Sequence, residues 1–141
     1  VAIQILIVDD SALVRQVVKK IVRQTGLEAE FHEASDGIQA LDSIRTASIE
    51  LVISDINMPN MDGLEMLAQL RSMPEQADLP VIVVSTEGSD ETVRRAMELG
   101  ANGYVYKPFT PEQLAEKLLP LGLVPQPVFS DAVDLSDPTA F

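Results

Sequence analysis

Three short apolar runs, "IQILIV" at 3–8, "LVIS" at 51–54 and "VIVV" at 81–84, restrict this chain more than any other feature. None follows a helical period, and each is rich in β-branched residues. Continuous runs of this length suit strands buried on both faces, which is the situation of a parallel sheet covered by helices on either side. "AEFHEA" at 29–34 alternates better, Ala29, Phe31 and Glu33 opposing Glu30, His32 and Ala34, and reads as a less buried strand. "GYVYK" at 103–107 supplies a fifth.

Helical patterns lie between the strands. "SALVRQVVKKIVRQTG" gathers Leu13, Val14, Val17, Val18, Ile21 and Val22 on one broad stripe and stops at Gly26. "DGIQALDSIRTA" and "DGLEMLAQLRSM" open on Asp36 and Asp62, with Gln39 and Glu65 in capping-box positions. "SDETVRRAMELG" closes on Gly100. "TPEQLAEKLL" starts with Thr110 as cap, Pro111 at the first helical position and Gln113 closing the box. Five β–α repeats imply parallel pairing through right-handed crossovers, hence an α/β doubly wound five-stranded parallel sheet with helices on both faces. Such folds bind ligands outside the carboxyl ends of the strands.

Composition narrows the function. At 141 residues, 46% of them hydrophobic, the chain makes one globular domain. It has no cysteine, so disulfides and thiolate metal sites are excluded and a cytoplasmic setting is expected. A net charge of −12 with only ten scattered basic residues argues against nucleic acid. No run approaches the ~18 apolar residues of a membrane span. From Pro120 onward the character changes: 120–141 holds four of the nine prolines, three aspartates and no basic residue. A domain over 1–119 followed by a Pro-rich acidic tail or linker is expected, with Pro120 ending the last helix early. Packing of Leu121, Leu123, Val124, Val128 and Phe129 back onto the domain or onto a partner is the alternative.

The strand ends carry the chemistry. The first ends in Asp9, Asp10 and Ser11, the third in Asp55 and then Asn57, the fourth in Ser85, Thr86 and Glu87, the fifth in Lys107 and Pro108. Three carboxylates, a hydroxyl and an ammonium would meet in one crevice. Asp9 or Asp10 alone could be explained by a helix N-terminus; the second is surplus. Asp9, Asp10 and Asp55 would repel one another unless a hard cation such as Mg²⁺ sat among them. Beside it, Asp55 could act as nucleophile toward a phosphoryl group, with Lys107 and Ser85 meeting the phosphoryl oxygens. The plainer reading of Asp55 is a turn residue. The Lys107–Pro108 bond is a candidate for the cis form. His32, the only histidine, is expected on an exposed outer strand.

"VDDS", "VISDINMPNMDGLEML", "LPVIVVSTE" and "GANGYVYKPFT", in this order and spacing, resemble the receiver domain of two-component response regulators, most of all the single-domain chemotaxis regulators of the CheY type. The resemblance covers residue 3 to about 119. The flavodoxin-like strand order 2-1-3-4-5 comes with it, CheY being a standing example of that winding. It implies Asp55 as phosphoacceptor, Asp9, Asp10, Asp55 and the main-chain carbonyl of Asn57 as the Mg²⁺ site, and Lys107 as the phosphoryl contact. Ser85 and Tyr104 would be the switch pair, and Asn57 and Glu87 would tune dephosphorylation. Thr86 stands where a smaller residue is common and could restrict access. The phosphodonor would be a histidine kinase. The output would be a protein effector bound through residues 90–119, with Tyr104 and Tyr106 on one side of the strand and a flagellar motor switch as one candidate. The chain would not be an enzyme beyond its own phosphorylation and slow dephosphorylation. Rival readings are a phosphorelay intermediate, a receiver fragment of a longer regulator, a silent adaptor, and a Mg²⁺-dependent aspartate-nucleophile phosphohydrolase. The last would want a carboxylate where Asn57 stands.

Overall fold

A computed structural model describes residues 2–123. Five strands alternate with five helices: β1 (Ile3–Val8), α1 (Ala12–Gln24), β2 (Ala29–Ala34), α2 (Gly37–Thr46), β3 (Leu51–Ser54), α3 (Gly63–Arg71), β4 (Val81–Ser85), α4 (Asp90–Glu98), β5 (Gly103–Tyr106) and α5 (Pro111–Leu118). Single 3₁₀ turns follow α3 at Pro74–Gln76 and α5 at Leu119–Leu121. All strand pairs are parallel, in the order β2-β1-β3-β4-β5. The doubly wound sheet expected from the sequence is therefore present.

Alternation within the strands builds two cores. Leu6, Val8, Val52 and Val83 face α2, α3 and α4, meeting Leu41, Met66 and Leu70. Ile5, Ile7, Ile53 and Val84 face α1 and α5, meeting Val18, Val22, Leu114 and Leu118. β1, β3 and β4 lie inside the sheet and bury both faces, which is why their sequences show no alternation. β2 lies at the edge, and its residues are mostly half-buried or exposed. His32 is half-buried there, against the Gln4 side-chain amide oxygen at 2.7 Å.

Helix ends follow local chemistry. Asp62 and Glu65 form a complete capping box, as do Thr110 and Gln113. α2 departs from this pattern. Asp36 caps Gln39 N–H, but the Gln39 side chain accepts from Ser35 N–H and not from Asp36. Asp36 is more extended (φ −157°) than Asp62 (φ −80°) or Thr110 (φ −100°), which presents the preceding amide to Gln39. The α1 stripe is also narrower than its hydrophobicity suggests. Val18 and Val22 are buried, whereas Leu13 is 75% and Val17 47% exposed. Leu13 and Val17 lie one turn apart on the outer margin of the stripe, beyond the sheet's reach.

α5 ends at Leu118, and the chain turns through Pro120 in the 3₁₀ segment. Leu121 and Leu123 pack on the α1/α5 core. Val124, Val128 and Phe129, with the rest of 124–141, lie outside the described residues. No helix among the described residues is long and apolar enough to cross a membrane.

Candidate functional site

At the carboxyl ends of β1 and β3, one carboxylate oxygen from each of Asp9, Asp10 and Asp55 lies within 4.8 Å of the others. Asp9 is buried, Asp55 half-buried and Asp10 exposed, so the cluster opens to solvent on one side. β1 and β3 are adjacent, and Asp55 N–H continues their ladder to the Val8 carbonyl at 2.9 Å. That bond brings the two acidic strand ends together.

Lys107 reaches in from the end of β5. Its Nζ lies 2.9 Å from Asp9 Oδ2 and 3.2 Å from Asp55 Oδ2. The Lys107–Pro108 peptide is cis. Asp9 Oδ1 accepts from Ser11 N–H at 2.9 Å, while Ser11 itself caps α1 through Val14 N–H. Asp55 Oδ1 accepts from Ile56 N–H at 2.7 Å. Desolvation raises the Asp55 carboxyl above its ordinary range; Lys107 and the Ile56 amide pull it down, and Asp9 pushes it up again. Burial pulls the Lys107 ammonium down, but Asp9 and Asp55 more than offset this and hold it above its usual value.

Three carboxylates face one ammonium, so the set carries a formal excess of two negative charges. The donors are all hard oxygens, without imidazole or thiolate. Such a set fits Mg²⁺ or a similar hard dication, which prefers one or two carboxylates and several waters. The Asn57 carbonyl sits two residues beyond Asp55 on an exposed stretch and accepts no backbone hydrogen bond from the described residues, so it is free to serve.

Ser85 is fully buried at the end of β4, and its Oγ accepts from Glu87 N–H at 3.0 Å. Tyr104, half-buried on β5, donates its hydroxyl to the Glu87 carbonyl. Burial lifts the Tyr104 phenol above its usual value, with the Ser85 hydroxyl pulling the other way. Tyr104 and Tyr106 project from the same side and meet edge to face, centroids 5.5 Å apart. Thr86 and Glu87 are exposed. Thr86 lines an apolar groove of about 300 Å³ with Val14, Val17, Ile21, Lys107 and Phe109.

Four supporting residues were not singled out in the sequence as parts of this site. Arg15 Nη1 donates to the Asp9 carbonyl at 2.6 Å while its Nε pairs with Glu33. Ser54 Oγ donates to the Asp55 carbonyl at 2.8 Å. Gly63 is obligatory, because a Cβ there would lie 2.2 Å from the Asp55 carbonyl oxygen. Asn60 holds Asp36 across the loop at 2.7 Å. Only the "DG" pairs hinted at any of this, and they also read as ordinary helix starts.

A response regulator receiver domain is what this sheet order and acidic crevice define, and the model of that family matches residues 5–119; the chain belongs to that family. Among its relatives is the chemotaxis protein CheY-3 of Vibrio cholerae, 39% identical over 115 residues, which cover 82% of this chain and 88% of that one. The chemotaxis protein CheY homolog of Campylobacter jejuni is 38% identical over 116 residues, with the same coverage. Among solved structures, Vibrio cholerae CheY4 superposes with a TM-score of 0.76 at 34% identity, over 85% of this chain and 98% of that one. The Borrelia burgdorferi CheX–CheY–BeF₃–Mg²⁺ complex gives a TM-score of 0.77 at 25% identity, over 85% and 89%.

Proposed function

We propose that the chain is a phosphorylation-activated signalling receiver that accepts a phosphoryl group on Asp55 from the phosphohistidine of a histidine kinase. The observation that supports this most is the Lys107 ammonium held between Asp9 and Asp55, at the mouth of a crevice that still carries a formal excess of two negative charges. Asp9, Asp10, Asp55 and the Asn57 carbonyl would hold Mg²⁺. When bound, the ion supplies positive charge to the phosphoryl oxygens.

Asp55 is suited to attack because Ile56 N–H and Lys107 keep its carboxylate oriented while desolvation removes competing water. A carboxylate oxygen bonds to phosphorus, the donor's N–P bond breaks, and the departing imidazole takes a proton from solvent. Lys107 then has a phosphoryl oxygen to neutralise in place of the bare carboxylate. Ser85 can donate its hydroxyl proton to that oxygen and still accept from Glu87 N–H. Because Tyr104 grips the same residue's carbonyl, movement of the β4–α4 loop reaches β5 and the face formed by α4, β5 and α5. Residues 90–119 would thereby change affinity for a protein effector. Chemotaxis is the setting the relatives' names favour.

Intact mass after incubation with a small acyl phosphate tests the reading. One base-labile phosphoryl group, dependent on Mg²⁺ and absent in Asp55→Asn, is expected. Full labelling of Asp55→Asn, or none of the folded wild type, would overturn it.

A further inference from the structure

The junction of β2 and α2, from Ala34 at the strand's end to Gly37 at the helix's start, touches both chain segments that carry the acidic crevice. On one side, Asp9 N–H donates to the Ala34 carbonyl at 3.1 Å. On the other, three contacts reach the tip of the β3–α3 loop. Asn60 Nδ2 donates to Asp36 Oδ2 at 2.7 Å, and Gly37 N–H donates to the Met61 carbonyl at 2.9 Å. The Met61 side chain fills the notch left by the missing Cβ of Gly37, where a methyl would come within 2.7 Å of Met61 Cγ.

The Asp36 contact is not a surface accident. Asp36 is 4% exposed, and each of its oxygens has a partner, Oδ1 taking Gln39 N–H at 2.8 Å. A carboxylate buried to this degree is costly unless hydrogen-bonded. Helix capping uses only one of its oxygens, so a serine or threonine hydroxyl would have served the helix alone without burying a charge. The second oxygen is committed to the loop. Asn60 in turn adopts φ +67°, in the left-handed region, where asparagine is among the few side chains tolerated. Met61 N–H closes a three-residue turn around it to the Pro59 carbonyl at 2.7 Å. The base of the loop is fixed separately, by Gly63 N–H on the Ile56 carbonyl at 2.8 Å. Between base and tip sits Asn57.

We propose that Asp36 and Asn60 are positioning residues for the acidic site: their hydrogen bond holds the β3–α3 loop so that the Asn57 carbonyl faces Asp9, Asp10 and Asp55, and it thereby sets cation affinity and phosphoryl lifetime. The inference rests on the reading of the site given above. Outer partners that orient ligands typically change metal affinity by about 10- to 100-fold when removed.

Asn60→Asp sets two carboxylates against each other and should open the latch. Asn60→Gly removes the amide while easing the positive φ. The exchange Asn60→Asp with Asp36→Asn restores one donor and one acceptor across the gap and leaves an oxygen to cap Gln39. Mg²⁺ titration of the unphosphorylated proteins by calorimetry, with amide NMR of residues 56–62 in metal-free protein, reads the effect directly. Ile44→Val, a trimming in the α2 core away from the loop, controls for loss of stability. Expected are a loss of Mg²⁺ affinity of about ten-fold in Asn60→Asp, altered amide signals at 56–62, recovery in the exchange variant and no loss in Ile44→Val. Wild-type affinity in folded Asn60→Asp and Asn60→Gly would overturn the inference alone, as would an equal loss in Ile44→Val. A wild type that binds no Mg²⁺ would overturn the reading of the site and the inference with it.

Discussion

Replacing Lys107 by methionine keeps most of the side-chain volume and removes the only ammonium in contact with Asp9 and Asp55 among the described residues. At an effective dielectric of about 20, contacts of 2.9 and 3.2 Å correspond to about 6 and about 5 kcal/mol of direct attraction. Without it, the repulsion between Asp9 and Asp55, whose oxygens lie within 4.8 Å, at least about 3.5 kcal/mol on the same scale, is left unopposed. Relief of the buried ammonium's own desolvation offsets part of the loss. Proton uptake sets a ceiling, since holding an ordinary aspartate protonated at pH 7 costs about 4 kcal/mol. A net destabilisation of about 3 kcal/mol at pH 7.5 follows, near the lower end for breaking a buried ion pair.

The pH dependence has a definite sign. Asp55 in the folded state is raised above its ordinary value, so its ionisation is a cost that is absent below the unfolded carboxyl range and grows as pH rises through the folded value. Lys107→Met raises it further, so the deficit should shrink as pH falls toward 4 and grow again by 7.5. Mg²⁺ should stabilise the variant more than the wild type, because the ion no longer competes with an ammonium. Urea unfolding at pH 4.5 and 7.5, with and without Mg²⁺, measures all of this. A deficit equal at both pH values, or Mg²⁺ stabilisation no larger than in wild type, would refute the electrostatic account of the site.

Gly63→Ala forces a methyl against the Asp55 carbonyl oxygen, a backbone atom that cannot swing aside; a loss of about 3 kcal/mol or more is expected in urea unfolding, at the upper end for overpacking. Glu33 is held below its usual carboxyl value first by Lys19 and then by Arg15. Its contribution is therefore present above the unfolded carboxyl range and lost as pH falls through the folded value, and Glu33→Gln should flatten that acid limb. The group is about a third exposed, so the change should stay below about 1 kcal/mol in acid titrations of stability. Arg71 donates to the carbonyls of Gly100 and Gln76 and to Asn102 Oδ1. Arg71→Met should cost about 2 kcal/mol, with no change between pH 5 and 8 because the guanidinium stays charged throughout.

Strands were legible because burial on both faces demands unbroken apolar runs, and the acidic site was legible because strand ends converge whatever the loops do. β1 and β3 are parallel neighbours, which leaves nowhere else for Asp9 and Asp55 to go. What the sequence did not reveal was finer: how wide a face the sheet offers a helix, the backbone angle at a cap, and a side chain's second partner. The stripe on α1 says nothing of how wide a face the sheet offers, so it did not reveal that Leu13 and Val17 stay exposed. A glutamine three residues after an aspartate predicts a capping box, but backbone extension at Asp36 redirected it. Asp36 itself reads as a cap from sequence alone, since nothing local reveals that its second oxygen is taken by Asn60, 24 residues on.

The grip on Glu87 gives the closing test. Ser85 holds its amide and Tyr104 its carbonyl, so the two side chains fix one residue from opposite ends. Each bond to this exposed segment is worth about 1 kcal/mol by itself. If they act through the same loop placement, removing either lets the loop move and weakens the other. Ser85→Ala and Tyr104→Phe should then be non-additive, the double variant losing less than the two single losses together by about 0.5 kcal/mol or more. The cycle is measurable in urea without a partner or a phosphodonor. Additive losses would mean that Ser85 and Tyr104 hold Glu87 independently. A pull on Ser85 by a phosphoryl oxygen would then give no mechanical reason for Tyr104 to respond, and the route from Asp55 to the α4, β5 and α5 face would need a different carrier.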